Sequence, residues 1–169
     1  SGLTSADKGS ILFDGHEITK LPPHRRCHRG LARTFQLNAA FDSLTVRENT
    51  LAGSYFGYSN RVFPGIRFSK ESVERADWAL ELVGMYDESD MPVDTLPVYK
   101  RKMLMIAGAL STNPLILMMD EPVGGLNPNE IDDIMEIVRK VHDAGGVGVA
   151  KFHAASCLIP SHADSFISR

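Results

Sequence analysis

Hydrophobic residues recur along the chain with two spacings, which predict alternating strands and helices. Residues 115–119 form a continuous apolar run closed by Asp120, typical of a strand buried on both faces of a parallel sheet. Pro128 is placed to begin a helix, whose apolar positions recur every three or four residues: Ile131, Ile134, Val138 and Val141. Residues 147–152 form the next apolar run after Gly145-Gly146. A strand, a helix and a strand in this order predict a right-handed crossover and an α/β fold.

The first part of the chain contains shorter elements. Residues 10–13 read as a strand that ends in a turn at Asp14-Gly15. Residues 31–35 read as a second strand, and Pro22-Pro23 is suited to open a short helix before it, with Gly30 ending that helix. These elements predict a strand beside the later apolar runs.

Helices are predicted in the middle of the chain. Residues 45–52 read as a helix, whereas residues 53–68 are rich in glycine, serine and aromatic residues and are expected to form a loop. Ser69 is suited to cap a helix with apolar residues on one face, namely Val73, Ala76, Leu80 and Val83. A further helix is marked by Met103, Ile106, Ala107 and Leu110.

Composition narrows the class of protein. The chain has 169 residues, 43% of them apolar, and a net charge of −3, which fits one globular domain and argues against a nucleic-acid partner. Cys27 and Cys157 lie far apart with no pairing pattern, so a reduced, cytosolic setting is expected. No apolar run approaches the ~20 residues that a membrane-spanning helix needs. A role at a membrane would therefore require a partner protein.

Two adjacent carboxylates, Asp120 and Glu121, close the buried strand. Ligands of open α/β sheets bind at the carboxyl ends of the strands, and adjacent strand residues point to opposite faces. Asp120 is therefore a candidate to hold Mg²⁺, and Glu121 a candidate to orient or deprotonate an attacking water. Taken alone, the pair is also compatible with two solvated acids at a strand end.

The sequence around these acids resembles the ABC-transporter ATPases, in particular those of branched-chain amino-acid uptake. Residues 115–122 (LILMMDEP) resemble the Walker B motif, and residues 124–128 (GGLNP) resemble the D-loop, with Asn127 where many relatives have aspartate. Residues 33–36 (RTFQ) resemble the Q-loop. Residues 41–49 (FDSLTVREN) and 10–23 (SILFDGHEITKLPP) are similar to flanking segments of the same subfamily.

The resemblance implies a role for each matching residue. Asp120 and Gln36 would contact Mg²⁺, and Glu121 would be the catalytic base. His153 stands where the family has the switch histidine that contacts the γ-phosphate, although Phe152 before it departs from the family pattern. A structural or surface role for His153 stays open. Asn127 would lie at the nucleotide through the D-loop.

The signature motif, which holds the γ-phosphate bound to the partner subunit, is altered here. The matching residues 96–101 read LPVYKR, so the candidate nucleotide contacts are Pro97, Val98, Tyr99 and Lys100. Tyr99 replaces the glycine that lets a phosphate approach the backbone, and Lys100 or its neighbour Arg101 is left to supply charge. A decayed copy of this motif is therefore expected.

The phosphate-binding pattern G-x-x-x-x-G-K-[ST] does not occur in the sequence. Since residues 1–4 resemble the segment that follows the phosphate-loop helix, the chain is expected to begin downstream of that loop. The implied fold is an N-terminally truncated P-loop-NTPase-like ABC ATPase core with a mainly parallel sheet. Residues 1–169 would form one partial nucleotide-binding domain, with the helical subdomain within residues 45–112.

The resemblance implies a subunit that binds ATP and Mg²⁺ and drives import of branched-chain amino acids. Its partners would be a second ATPase subunit and transmembrane permease subunits, the permease bound near the Q-loop and residues 52–68. Its place would be the inner face of the plasma membrane. Two alternatives stay open: a non-catalytic module that pairs with an intact ATPase or permease, and an α/β domain that binds another anion. The close spacing of His24, Cys27 and His28 suggests zinc only weakly, because no second ligand pair stands nearby.

Overall fold

The structure, a computed structural model, describes residues 2, 6–34, 40–58, 68–120, 122–143, 148–153 and 156–158, the last two ranges as backbone only. Within these ranges a mixed set of helices and strands forms an α/β fold, with three consecutive α-helices between β3 and β4. In chain order they are β1 (Leu12–Phe13), β2 (His16–Glu17), α1 (Pro23–Cys27), β3 (Leu31–Arg33), α2 (Val46–Tyr58), α3 (Lys70–Leu82), α4 (Val98–Ser111), β4 (Ile116–Asp120), α5 (Pro128–Asp143), β5 (Gly148–His153) and β6 (Ser156–Leu158).

The larger sheet has the strand order β3-β4-β5-β6. Strands β3, β4 and β5 are parallel, and β6 runs antiparallel to β5. Helix α5 connects β4 to its parallel neighbour β5, so the predicted strand–helix–strand unit is confirmed. Strands β1 and β2 form a separate antiparallel hairpin, with Asp14 and Gly15 at positive φ angles of 49° and 70° in its turn.

Gly30 fixes where β3 and β4 begin to pair. Its carbonyl oxygen accepts hydrogen bonds from the backbone N–H groups of Leu115 at 2.8 Å and Ile116 at 2.9 Å. Its φ angle is +92°, and a Cβ atom there would lie 2.9 Å from the backbone nitrogen of Leu115. Only glycine combines this conformation with this close approach, so the register of the two strands depends on it.

Strand β4 is buried on one face only, which corrects the expectation of burial on both. Leu117 and Met119 are 1% and 0% exposed, whereas Ile116, Met118 and Asp120 on the other face are half-buried. Helices α4 and α5 contribute to the core cluster that contains Leu117 and Met119. A continuous apolar run therefore overstated the burial of the second face.

Helix α2 continues through residues 53–58, which the sequence suggested were loop. Gly53 and Gly57 lie against α4 and against Thr112, which follows it. Added Cβ atoms would lie 2.5 Å from the carbonyl oxygen of Gly108 and from Thr112 Cγ2, respectively. The hydroxyl of Ser111 donates to the carbonyl of Thr50 at 3.0 Å across the same contact. The glycines allow two helices to approach closely, and they do not end the helix. Residues 59–67 of the expected loop lie outside the described residues.

The predicted core faces of the other helices are largely confirmed. Ser69 caps α3 by accepting a hydrogen bond from the N–H of Ser72 at 3.1 Å. On α3, the expected core residue Val73 is only half-buried, whereas Ala79 is buried. On α5, the expected core residue Ile131 is only half-buried, whereas Ile137 is buried. All four expected core residues of α4 are buried, and they join one core cluster with α3, α5 and β4.

The contact between α2 and α4 gives a test of stability. Gly53→Ala is expected to destabilise the protein by about 1–3 kcal/mol, because its methyl group would collide with the Gly108 carbonyl. Gly108→Ala is the matched control: nothing lies within 4 Å of its added Cβ. That change is expected to stabilise α4 by roughly 1 kcal/mol through helix propensity. Urea denaturation measures both, and equal stability of the two variants would contradict the close approach.

Candidate functional site

The carboxyl ends of three strands meet at one edge of the larger sheet. In the register, Arg33 pairs with Met118, and Asp120 pairs with Phe152. His153 follows the partner of Asp120 by one residue, so its backbone lies at the same edge. Parallel pairing thus brings together positions 33, 120 and 153, which are far apart in the sequence. The N–H of Thr34 still donates to the Met118 carbonyl at 2.9 Å, so the pairing continues one residue past β3.

Asp120 is held by a charged partner, Arg33. The Nη2 group of Arg33 donates to Oδ2 of Asp120 at 2.8 Å, and the two side chains are 31% and 29% exposed. The carboxylate is therefore fixed in orientation while it stays open to solvent. Sequence reasoning identified Asp120 and missed this pair, because its members stand 87 positions apart.

The side chains around Asp120 limit the kind of metal site that this residue can form. Among the described residues, no cluster of three or more His, Cys, Asp or Glu side chains is placed to hold a metal ion. Mg²⁺ that arrives with a nucleotide needs only one or two carboxylates, because phosphate oxygens and water complete its shell. Asp120, solvent-accessible at a strand end, fits this kind of site and does not fit an all-protein cage.

Two of the predicted catalytic residues, Gln36 and Glu121, lie outside the described residues. Their described neighbours are in place: Thr34 precedes Gln36 by two positions, and Asp120 directly precedes Glu121. For His153 only the backbone position at the strand edge is described. The roles of these three residues stay predictions.

Asn127 begins α5 as part of a capping box. Its Oδ1 accepts from the N–H of Glu130 at 3.1 Å, and Oε2 of Glu130 accepts from the N–H of Asn127 at 2.9 Å. This reciprocal pair satisfies two backbone donors at the helix start. The side chain of Asn127 thus has a structural partner, and its predicted contact with nucleotide stays a prediction.

The segment predicted to be an altered signature motif forms the start of α4. Pro97 is the N-cap residue and gives no side-chain hydrogen bond, while Val98 is 55% exposed. The next side chains are turned to acids of the same chain. Tyr99 donates to Oδ2 of Asp133 at 3.1 Å, Lys100 pairs with Glu88 at 2.8 Å, and Arg101 pairs with Asp42 at 2.8 Å. The cations at this helix start are therefore already neutralised within the chain.

A cleft that sequence reasoning did not find lies between α1, β3, α2 and α4. Its volume is about 510 Å³, and it is lined mainly by apolar groups from these elements and from Ala40 and Phe41. Two aromatic side chains that line it are strongly exposed, Phe41 at 60% and Phe56 at 69%. The sequence already placed the expected permease contact near the Q-loop and residues 52–68. Because residues 53–68 were expected to form a loop, it did not predict a cleft with α2 as one wall.

These features define an α/β fold with a carboxylate at the end of β4, the middle one of its three parallel strands. The sequence profile of the ABC transporter family matches residues 1–124, and the chain belongs to that family. A crystal structure of an ATP-binding cassette of an ABC transporter in its ADP conformation matches with a TM-score of 0.78 and 29% identity, covering 92% of this chain and 63% of that one. The fold is that of the ABC ATPase cassettes.

Curated relatives come from several transport systems. The high-affinity branched-chain amino acid transport ATP-binding protein BraF of Pseudomonas aeruginosa is 31% identical over 99% of this chain and 68% of its own length. The probable branched-chain amino acid transport ATP-binding protein LivG of Archaeoglobus fulgidus is 36% identical over 76% and 51%. A sulfate/thiosulfate import ATP-binding protein, CysA, of Mycobacterium bovis is 32% identical over 85% and 38%. The chain thus spans between about a third and two thirds of these proteins.

Asp133 gives a pH-dependent test of the α4 contact. Burial, the hydrogen bond to Asp133 and nearby acids raise the pKa of Tyr99 to about 12. Asp133→Asn is expected to lower this pKa towards the ordinary value of about 10 without reaching it, because burial is the largest cause. Phenolate absorbance during alkaline titration measures the shift, and Tyr99→Phe identifies the signal among the four tyrosines.

The same shift sets a stability window. Because the folded pKa exceeds the unfolded one, the contribution of Tyr99 is fully present below pH ~10 and is lost as pH rises through about 12. In Tyr99→Phe this part of the alkaline loss of stability should be absent. An unchanged titration in Asp133→Asn would contradict the contact.

Proposed function

We propose that this chain supplies the Walker B, Q-loop and helical-subdomain part of an ATP-hydrolysing subunit of an ABC importer. The observation that supports this most is the position of Asp120 at the end of the central parallel strand, beside Arg33 and the residues that lead to Gln36. The helical subdomain corresponds to residues 45–112, in which α2, α3 and α4 lie.

In this proposal the residues at the strand edge divide the work. Mg²⁺, when bound with ATP, neutralises charge on the phosphates. Asp120 and Gln36 would hold that ion through their oxygen atoms. Glu121 accepts a proton from the attacking water, and His153 holds the γ-phosphate by a hydrogen bond. Asn127 contacts the nucleotide as part of the D-loop, and its side chain also caps α5.

The transported substrate is proposed from relatives. Two of the proteins described above serve branched-chain amino-acid transport by name, and the D-loop and residues 10–23 of this sequence resemble the same subfamily. The similarity of CysA, which serves sulfate, shows that identity near 30% alone does not separate substrates. Branched-chain amino acids are therefore the first substrate class to test.

The start of α4 favours a second candidate function, a non-catalytic module that pairs with an intact ATPase. A signature helix acts through its N-terminal N–H groups and nearby cations on the phosphate held by a partner subunit. Here Tyr99 occupies the position of a glycine, and Lys100 and Arg101 are paired with Glu88 and Asp42. These contacts would slow hydrolysis or abolish it.

A chimera separates the two candidates. The aligned segment of the Pseudomonas aeruginosa relative is replaced by this chain, and ATP hydrolysis by the purified subunit is measured. If the chain is catalytic, the chimera hydrolyses ATP slowly, and Glu121→Gln lowers the rate by at least ~100-fold, because a general base is lost. Changing Val98 and Tyr99 to glycine raises the rate by freeing the phosphate approach.

Further variants of the chimera serve as controls. Glu130→Gln should keep the rate, because glutamine retains the acceptor of the capping box. A rate insensitive to Glu121→Gln would remove the proposed base. A folded chimera with no hydrolysis, even after both glycine changes, would leave the non-catalytic module as the function.

The cleft is the proposed contact with the permease. It lies beside the Q-loop segment and is lined by residues of α2, including Ala52, Gly53 and Phe56. An apolar groove with exposed aromatic rims suits an amphipathic helix of a partner. No described helix of this chain is long and apolar enough to cross a membrane. In the same proposal, permease subunits hold the protein at the inner face of the plasma membrane, where it pairs with a second ATPase subunit.

Phe56 tests this docking. In the chimera, Phe56→Asp is expected to abolish most uptake of leucine by cells that lack the native subunit, because it puts a charge on the apolar rim. Hydrolysis by the isolated subunit should stay unchanged. Trp78→Asp is the control, since Trp78 is also an exposed aromatic residue, at 42%, and does not line the cleft. Equal uptake in the two variants would contradict docking at the cleft.

A further inference from the structure

The contact between Arg33 and Asp120 has a geometry set by the two strands. Arg33 is aligned with Met118, and Asp120 lies two residues further along β4. Residues two apart on a strand share a face, so Arg33 and Asp120 lie on the same face of the sheet. The guanidinium reaches Oδ2 of Asp120 at 2.8 Å by extending towards the strand end, where the candidate metal position lies.

The charge of this partner is permanent. Arginine keeps its proton at every pH at which a protein is folded, so its charge cannot be removed by titration. A divalent cation on the Asp120 carboxylate would lie within roughly 5 Å of the guanidinium and be repelled by it. Both side chains are about 30% exposed, which leaves an ion access to the carboxylate while solvent screens the pair.

We propose that Arg33 is the internal counter-ion of Asp120, and that a divalent cation binds this carboxylate in competition with it. The inference rests on the proposed metal role of Asp120 and adds a positioning residue to it. In the nucleotide-free chain, Arg33 holds the carboxylate in one orientation and keeps its cation affinity low. Cation binding then depends on the further oxygen ligands that a nucleotide brings.

Binding of Mn²⁺, as a paramagnetic substitute for Mg²⁺, tests the competition without any measurement of hydrolysis. The 169-residue chain is titrated with Mn²⁺ in low salt, and broadening of the backbone amide signals of Met118, Met119 and Asp120 is followed by NMR. The variants are Arg33→Met, which removes the charge at similar length, and Arg33→Lys, which keeps it. Asp120→Asn removes the ligand.

Arg33→Met is expected to bind Mn²⁺ about tenfold more tightly than the unchanged chain, and the difference should shrink in ~1 M salt. Arg33→Lys should stay close to the unchanged chain because the positive charge remains. Asp120→Asn should weaken binding both on its own and in combination with Arg33→Met. Thermal melting verifies that each variant is folded, and Arg33→Gln replaces Arg33→Met if the latter does not fold.

The outcomes separate this inference from the function on which it rests. If Asp120→Asn abolishes the broadening but Arg33→Met leaves the affinity equal or weaker, Asp120 keeps its metal role and the competition by Arg33 is wrong. If Asp120→Asn leaves the broadening by Mn²⁺ unchanged, both the metal role of Asp120 and the competition by Arg33 are wrong. Absence of broadening in every folded variant overturns both.

Discussion

The parallel pairing of β3, β4 and β5 is the constraint on which the rest of the site depends. It sets positions 33, 120 and 153 at one edge, and a slip of one residue would turn Asp120 to the opposite face of the sheet. Gly30 secures the register, because its carbonyl accepts from two successive N–H groups of the next strand at a distance that a side chain would forbid. Helix α5, whose start is capped by Asn127 and Glu130, forms the connection from β4 to β5.

Charged side chains at the two candidate nucleotide contacts, the sheet edge and the start of α4, are paired within the chain. Arg33 pairs with Asp120, Lys100 with Glu88, and Arg101 with Asp42. Each pair is partly exposed, so each contributes only about 0–1 kcal/mol to stability. Their larger effect is on ligands: a paired cation offers less attraction to phosphate, and a paired carboxylate offers less to a metal ion. A ligand that binds one of these side chains therefore has to replace an existing ion pair. Its affinity then depends on how many further contacts a nucleotide or a partner subunit brings.

Local pattern predicted most of the fold and only part of the site. Apolar runs and capping residues located β4, β5, α3 and α5, since these signals depend on neighbours in sequence. Gly53 and Gly57 misled the interpretation of α2, because glycine that breaks a helix and glycine that lets two helices touch look the same in one sequence. The partners of Asp120 and Tyr99 could not be predicted, since each depends on how distant segments pack. The cleft was missed for the same reason.

Arg33 belongs to both surfaces for which a function is proposed. It pairs with Asp120 on the edge of the sheet, and it also lines the cleft formed with α2 and α4. A helix seated in the cleft would therefore contact the residue whose guanidinium holds the carboxylate. Coupling between two sites requires a group whose arrangement both sites bias. Arg33 is a candidate for such a group, because the pairing of β3 with β4 fixes its backbone while its long side chain reaches Asp120.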